Sequence, residues 1–166
     1  MVGLDTNAAA LYDGFRRAHK AKLRNALFVV ASAESLPDEL SGCADEVRIQ
    51  FPWGSLLAAV LGAAPAVLGG VAELLRPGGR LHVLVSVVAR DGVEGGERLD
   101  HRRAGEVARR IAGAGAGLVL ELCREATPED VAASHSTWGK RLGAGRSRPA
   151  WLLRFHKTGT SGSLEG

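Results

Sequence analysis

Three side chains that could contact a ligand lie where strand-like stretches of the sequence end, and they are Asp5, Glu34 and Trp53. In an open α/β sheet, ligands bind in the crevice outside the carboxyl ends of the strands. We therefore treat all three side chains as candidates for a binding site. An acid in the first turn of a helix stabilises that helix, so Asp5 and Glu34 could also be helix N-terminal acids.

The Trp53 candidate belongs to the sequence Phe51-Pro52-Trp53-Gly54-Ser55, which directly follows the alternating polar and apolar stretch 45–50. The proline has no N–H for a strand ladder and favours an extended backbone at the preceding phenylalanine, so we expect the strand to end there. The glycine and serine that follow predict a turn and a helix N-cap. Large aromatic side chains are mostly buried, so this pattern leaves open a role for Trp53 as a core anchor.

The charge distribution favours an anionic partner. The chain has 166 residues, a formal net charge of +3 and an isoelectric point near 9.2, and its basic residues concentrate in 16–24, 98–110 and 140–154. Such clusters attract anions, although a charge run can also be an ordinary solvated face. Cys43 and Cys123 lie far apart without metal-ligand spacing, so the pattern indicates neither a disulfide framework nor a zinc site and fits a reducing cytoplasm.

One uncharged stretch, residues 55–72, is long enough to be compared with a membrane span. It is rich in alanine and glycine and is interrupted by Pro65. We therefore interpret it as part of two short helices and expect no association with a membrane.

Strand-like and helical patterns alternate along the chain. Strands are predicted at 1–5, 25–31, 45–50, 81–88, 118–123 and 150–156, and helices at 8–17, on both sides of Pro65 up to 75, and at 97–112. A tight turn is predicted at 76–80, a flexible loop at 92–96 and a long polar connection at 128–148. This order predicts an α/β fold with a mainly parallel sheet and an antiparallel pair of strands at one edge.

Four segments of the sequence resemble the aminoglycoside-resistance 16S rRNA (adenine-N1) methyltransferases, which are class I S-adenosylmethionine-dependent methyltransferases. The segments are Val2-Gly3-Leu4-Asp5, residues 25–37 (NALFVVASAESLP), Phe51-Pro52-Trp53-Gly54-Ser55-Leu56-Leu57 and Ser136-Thr137-Trp138-Gly139-Lys140-Arg141-Leu142. The resemblance extends from residue 2 to about residue 155. Its most specific parts are Pro-Trp-Gly-Ser and Ser-Thr-Trp, whereas the Pro-Gly-Gly turn at 77–79 is common to many methyltransferases.

The resemblance implies a Rossmann-like fold and S-adenosyl-L-methionine (SAM) as the cofactor. It implies that Asp5 accepts hydrogen bonds from the ribose hydroxyls of the cofactor and that Ala33 and Glu34 border the cofactor adenine. The other residues that it implies at the cofactor are Phe51, Pro52, Ser136 and Thr137.

The resemblance also implies a target, N1 of a decoding-site adenine (adenine 1408) of 16S rRNA in the small ribosomal subunit, and hence aminoglycoside resistance. Trp53 and Trp138 would stack on the flipped-out adenine. Adenine N1 carries no proton at neutral pH, so positioning provides most of the catalysis and we name no catalytic acid or base. The implied RNA-contacting residues are basic: Arg16, Arg17, Lys20, Lys22, Arg24, Lys140, Arg141, Arg146 and Arg148.

The sequence shows no counterpart of the first strand and Gly-rich turn with which the class I fold begins. We therefore expect an N-terminally truncated methyltransferase domain at 1–157, which acts as a monomer, and a disordered tail at 158–166. In the fold that the chain resembles, the absent strand lies between the strand ending at Asp5 and the strand ending at Gln50. Two other functions stay open: a methyltransferase of a small molecule or protein, and a non-catalytic remnant that binds RNA.

Overall fold

The computed structural model describes residues 1–92, 98–114, 117–145 and 147–159. The chain divides into two compact units, Met1–Glu39 and Leu40–Gly166. The predicted loop at 92–96 and the predicted tail at 158–166 lie mostly outside the described residues. Each unit is described by itself below.

The first unit is a β-α-β arrangement with two parallel strands. Strand β1 spans Val2–Asp5, helix α1 spans Ala8–Lys20 and strand β2 spans Leu27–Val30. Asp5 is the register partner of Val30, and the Ala31 N–H donates to the Asp5 carbonyl at 3.1 Å. The carboxyl ends of both strands therefore lie at the same edge, as the sequence predicts for a parallel pair.

Helix α1 begins at a polar cap, and its inner face packs on an aromatic ring. The Asn7 side chain accepts hydrogen bonds from the backbone N–H groups of Ala9 and Ala10 at 3.0 and 3.1 Å. Such a cap satisfies donors that have no partner within the helix. Gly14 approaches the Phe28 ring so closely that a Cβ atom would lie 3.0 Å from Cε1. The helix continues three residues beyond the predicted end at Arg17.

The second unit contains a four-stranded mixed sheet and the helices that pack against it. Its elements, in chain order, are β3 Ala44–Gln50, α2 Gly54–Leu61, α3 Pro65–Glu73, β4 Leu75–Val85, α4 His101–Ala114, β5 Leu118–Glu125, α5 Pro128–Ala133, α6 Thr137–Leu142 and β6 Trp151–Lys157. The strand order is β3-β4-β6-β5, in which β3 and β4 are parallel and β6 is antiparallel to both of its neighbours. The predicted antiparallel pair is confirmed.

The core of this unit follows the two-residue period of its central strands. Alternate residues of β4 and β6, such as Leu81, Val83, Leu153 and Phe155, are fully buried. Their neighbours toward the other face are polar at His82, Arg154 and His156, whereas Leu84 and Leu152 on that face belong to a second, smaller apolar core. Helices α3 and α4 supply the opposing apolar side chains, including Ile111.

The sheet organisation differs from the prediction of one mainly parallel sheet. The described strands form two sheets, β1-β2 and β3-β4-β6-β5. Half of the four strand pairings are antiparallel, because β6 is inserted between β4 and β5.

Two local predictions also need correction. The predicted turn at 76–80 is an excursion within β4, since Leu75 pairs with Ala44 and Arg80 pairs with Glu46. Gly78 has a positive φ of 79° there, which permits the chain to leave and rejoin the ladder. The predicted polar connection at 128–148 contains helices α5 and α6.

In the described part of the chain, no single helix combines the length and apolar character that a membrane span requires. Helices α2 and α3 satisfy both criteria only when taken together, and the chain bends by 96° at the break between them.

Candidate functional site

Trp53 and Trp138 come together from segments that are far apart in the sequence. Their ring centroids are 6.2 Å apart and their planes meet at 75°, an edge-to-face arrangement. Trp53 is 53% exposed and Trp138 is 41% exposed. The alternative in which Trp53 is a core anchor is therefore wrong, and the pair offers indole surface to a ligand.

The backbone around Phe51 turns Trp53 outward. The Phe51 N–H donates to the Leu84 carbonyl at 2.7 Å, so the β3–β4 ladder continues to this residue. Phe51 then adopts a φ of +49°, the left-handed region rather than the extended conformation predicted from Pro52. Helix α2 begins at Gly54 with Trp53 as its N-cap residue, so the predicted side-chain cap at this turn is wrong.

Trp138 lies in the first turn of α6, which a serine caps. The Ser136 Oγ accepts a hydrogen bond from the Gly139 N–H at 3.1 Å, and Gly143 ends the helix with a φ of 66°. Thr137 is exposed beside Trp138. Ser136 therefore has a structural role in fixing the loop, and the predicted contacts of Ser136 and Thr137 with a cofactor stay predictions.

Helix α5, which precedes the Trp138 loop, is anchored to β5 by an ion pair. Arg124 donates from Nη1 and Nη2 to the Asp130 carboxylate at 2.6 and 3.0 Å. The Thr127 N–H donates to the same carboxylate at 2.7 Å, which completes a capping box. The Arg124 hydrogen bonds, followed by those from Thr127, lower the pKa of Asp130 from 3.8 to about 2.

The Phe51 ring lies beneath both tryptophan segments. It is 4% exposed and belongs to a small apolar core whose other buried members are Leu84, Ala126, Val131, Ala144 and Ala150. Pro52 is also buried. The structure thus gives Phe51 a packing role, and the predicted contacts of Phe51 and Pro52 with a cofactor stay predictions.

Arg148 is not the exposed phosphate contact that the sequence predicts. It is 3% exposed, and its Nε donates to the Ser86 Oγ at 2.8 Å. Its Nη2 donates to the Ser86 carbonyl at 3.0 Å, and its Nη1 donates to Asp91 Oδ1 at 3.1 Å. A second Asp91 oxygen completes a buried ion pair. These hydrogen bonds engage the Arg148 donors inside the protein. They join the chain between α6 and β6 to the residues that follow β4.

The predicted cofactor residues of the first unit lie at one strand edge. Asp5 ends β1, and its Oδ1 accepts a hydrogen bond from the Asn7 N–H at 2.8 Å. Within the described residues, Asp5 Oδ2 accepts no hydrogen bond. Ala33 and Glu34 follow β2 in a tight turn, in which the Glu34 N–H donates to the Ser32 Oγ at 3.1 Å. This edge could hold a ligand that carries hydroxyl groups.

Most of the predicted RNA-contacting residues are at the surface. The exposed members are Arg16, Arg17, Lys20, Lys22, Arg24, Lys140 and Arg141. Lys140 and Arg141 occupy the last turn of α6, within three residues of Trp138. Arg146 lies outside the described residues.

Three residues that shape this region, Ser86, Asp91 and Gly139, carry no role among the sequence-based predictions. Asp91 and Ser86 hold Arg148, but they lie 57 and 62 residues from it and share no motif with it. Gly139 lies directly against the Phe51 ring. The glycine that directly follows Trp138 is a sequence signal for this contact, because an isolated glycine often has a packing reason such as a close backbone approach.

A profile of one protein family, NpmA: 16S rRNA (adenine(1408)-N(1))-methyltransferase, matches residues 1–157. Among curated proteins, the 16S rRNA (adenine(1408)-N(1))-methyltransferase of Streptoalloteichus tenebrarius is 41% identical over 134 residues, 78% of this chain and 60% of that protein. The Escherichia coli protein of the same description is 29% identical over 172 residues, 93% of this chain and 75% of its own length. The chain thus spans from three fifths to three quarters of these relatives.

Solved structures give the same result. The 16S rRNA methyltransferase KamB matches with a TM-score of 0.80 and 36% identity, over 95% of this chain and 76% of that one. A variant of the 16S rRNA (adenine(1408)-N(1))-methyltransferase of Catenulisporales acidiphilia, solved with the cosubstrate SAM, matches with a TM-score of 0.78 and 25% identity, over 96% and 75% of the two chains. This chain therefore belongs to the NpmA family of 16S rRNA (adenine(1408)-N(1))-methyltransferases.

Proposed function

We propose that this protein transfers a methyl group from SAM to N1 of adenine 1408 of 16S rRNA, and so gives aminoglycoside resistance. The observation that carries the proposal is the exposed pair Trp53 and Trp138, which lie together at the starts of α2 and α6 within the family match. A flipped-out base loses its stacking partners in the RNA, and aromatic side chains can replace them. Neither a small hydrophilic substrate nor a purely structural role would need two exposed indoles.

Orientation supplies most of the catalysis that we propose. Adenine N1 has a lone pair and no proton at neutral pH, so no general base is required and the reaction depends on alignment. When bound, SAM supplies an electrophilic methyl group. Methylation leaves the adenine positively charged, and the faces of Trp53 and Trp138 would stabilise that charge by about 1–2 kcal/mol through cation–π attraction.

The residues at the carboxyl edge of β1 and β2 fit the adenosine end of SAM. A carboxylate oxygen of Asp5 is available for the ribose hydroxyls, since only its Oδ1 is used by Asn7 among the described residues. Ala33 and Glu34 follow the neighbouring strand at the same edge and would border the cofactor adenine. We infer a Rossmann-like class I fold, which the parallel β1–β2 and β3–β4 pairs and the antiparallel β6 support.

The exposed basic residues suit the phosphates of folded rRNA. Phosphate contacts orient a protein on its nucleic acid without reading sequence, and the base is then recognised by contacts of its own. Lys140 and Arg141 lie close to Trp138 in the sequence, so they would fix the backbone beside the flipped adenine. We propose that the protein acts as a monomer in the cytoplasm on the assembled small subunit.

Methyl transfer to purified small ribosomal subunits tests the function. With SAM labelled in its methyl group, we expect incorporation into 16S rRNA that stops primer extension at adenine 1408. Subunits that carry guanine at this position are the matched control and should not be labelled. Methylation of another nucleotide would contradict the assigned target. Subunit binding without methyl transfer would instead support the non-catalytic RNA-binding remnant.

A further inference from the structure

The two tryptophan segments meet where the backbone of α6 lies on the ring of Phe51. A Cβ atom built on Gly139 would lie 2.8 Å from the Phe51 Cδ2 and Cζ atoms and closer still to Cε2. Carbon atoms pack best at about 3.5–4.0 Å, so position 139 has no room for a side chain. Trp138 directly precedes this glycine, and Phe51 lies two residues before Trp53.

The Phe51 ring cannot move aside to admit a larger residue. It is almost fully buried, and its neighbours in the small core include Leu84 from the sheet, Val131 from α5, and Ala144 and Ala150 from the chain between α6 and β6. Its backbone is also held by the hydrogen bond to Leu84. Gly139 itself is buried and does not adopt a positive φ, so the ring alone, rather than backbone strain, excludes alanine.

We propose that the contact between Gly139 and the Phe51 ring sets the spacing and orientation of Trp53 and Trp138. Gly139 is then a positioning residue for the tryptophan pair. Only the identity of the ligand as adenine rests on the proposed function. The path between the tryptophans is short and continuous, from Trp53 through the Phe51 ring to Gly139 and Trp138. A change in this contact therefore alters the pair directly.

Gly139→Ala should push α6 away from the ring by about 1 Å, the difference between the clash and ordinary contact. The helix has six residues, and Trp138 is in its first turn, so the indole must move with it. Phe51→Leu in the same protein should restore the room that the alanine needs. Gly105→Ala is a matched control, since a Cβ atom built on this helical glycine would meet, outside the backbone of its own helix, only Arg109 Nη1 within 4 Å, at 3.7 Å.

Circular dichroism of the full chain tests the proposal without cofactor or RNA. Two indoles in edge contact give an exciton couplet in the far ultraviolet, and loss of the signal in Trp138→Phe assigns it to this pair. We expect Gly139→Ala to lose most of the couplet, Gly105→Ala to keep it, and Phe51→Leu with Gly139→Ala to recover most of it. The Phe51→Leu variant completes the double-mutant cycle. A melting curve of each variant shows whether it is folded.

A folded Gly139→Ala protein with the wild-type couplet would overturn the proposal. If Gly139→Ala does not fold, the double variant decides, and it must recover both folding and the couplet. Failure of the double variant to recover either of them also overturns it. Because no methylation enters this readout, an inactive wild-type protein with these spectra would contradict the proposed function and leave the positioning role of Gly139 supported.

Discussion

Burial decides the role of Arg148. Its guanidinium is enclosed and shares its hydrogen bonds between Ser86 and the Asp91 carboxylate. A buried charge that loses its partner pays the full cost of desolvation, whereas an exposed pair contributes little. The pair therefore stabilises the junction between the Trp138 segment and the turn after β4 only while both members are present.

We predict that Asp91→Asn lowers the free energy of unfolding by about 3–5 kcal/mol, because it leaves the Arg148 charge without a counterion. Chemical denaturation measures this change. Glu106→Gln is the matched control, since it removes the carboxylate from the Arg102 pair at the surface of α4. The control should cost less than about 1 kcal/mol. Equal losses in the two variants would contradict the buried pair.

Single residues were predicted well where a local pattern determines them. Trp53 is exposed at the end of a strand, as a ligand-binding residue requires. Arg148 was wrongly predicted as a phosphate contact. Its burial depends on Ser86 and Asp91, which lie far away in the sequence, so no local pattern reveals it. The close packing of Gly139 also depends on a distant residue, because the Phe51 ring leaves no room for a side chain at position 139. The sequence alone therefore did not predict it.

At the level of elements, α5 and α6 give the predicted polar connection a helical structure around Trp138. Both helices have six residues, too short for a hydrophobic period to reveal them, although Thr127 and Ser136 are suitable N-cap residues. The longer elements were predicted within a few residues because their apolar spacing extends over several turns or strand positions. The proline and glycines at 77–79 correctly predict a bend, but they do not reveal that β4 pairs with β3 on both sides of that bend.

The capping box of α5 predicts a loss of stability in acid. The folded pKa of Asp130 is about 2 against an ordinary 3.8. A depressed pKa stabilises the fold above the ordinary value, and this contribution is lost as the pH falls from 3.8 toward about 2. We predict that Asp130→Asn is less stable than the wild type at neutral pH and that the difference disappears in this acid range.

Urea denaturation at a series of pH values measures the Asp130 effect. Arg124→Met is the reciprocal variant, because it removes the main cause of the lowered pKa. In Arg124→Met, the free energy of unfolding should depend less on pH between 3.8 and about 2 than in the wild type. If the free energy of unfolding of Asp130→Asn fell with decreasing pH as steeply as that of the wild type, the capping box would not contribute to the acid dependence of stability.

At the scale of the whole molecule, the two units carry different parts of the proposed function. The first unit holds the predicted ribose-binding Asp5 and an exposed basic segment, and the second holds both tryptophans. The family and its fold class could be predicted from the sequence, because their motifs are local. The division into two sheets and the helical support of Trp138 could not, because they depend on contacts between distant segments.

The basic segment of α1 predicts salt-dependent binding to the small subunit. We expect Arg16→Glu with Arg17→Glu to weaken binding and to reduce the slope of log K against log salt by about 0.7–0.9 for each lost phosphate contact. Filter binding across a salt series measures both effects. Arg76→Glu with Arg80→Glu makes the same charge change at two other exposed arginines and should have a smaller effect. Equal effects would show that net charge alone drives binding.

The central claim is that Trp53 and Trp138 hold the target adenine, and single-turnover methylation of small subunits tests it most directly. Stacking of a base on an aromatic side chain contributes about 1–3 kcal/mol, so Trp53→Ala and Trp138→Ala should each slow methylation by roughly 5- to 150-fold. The affinity for SAM should stay within a few-fold. Trp138→Phe should keep most of the rate, and Trp151→Phe, a change to the buried third tryptophan, should leave it unaltered. Methylation at the wild-type rate by either alanine variant would contradict the account.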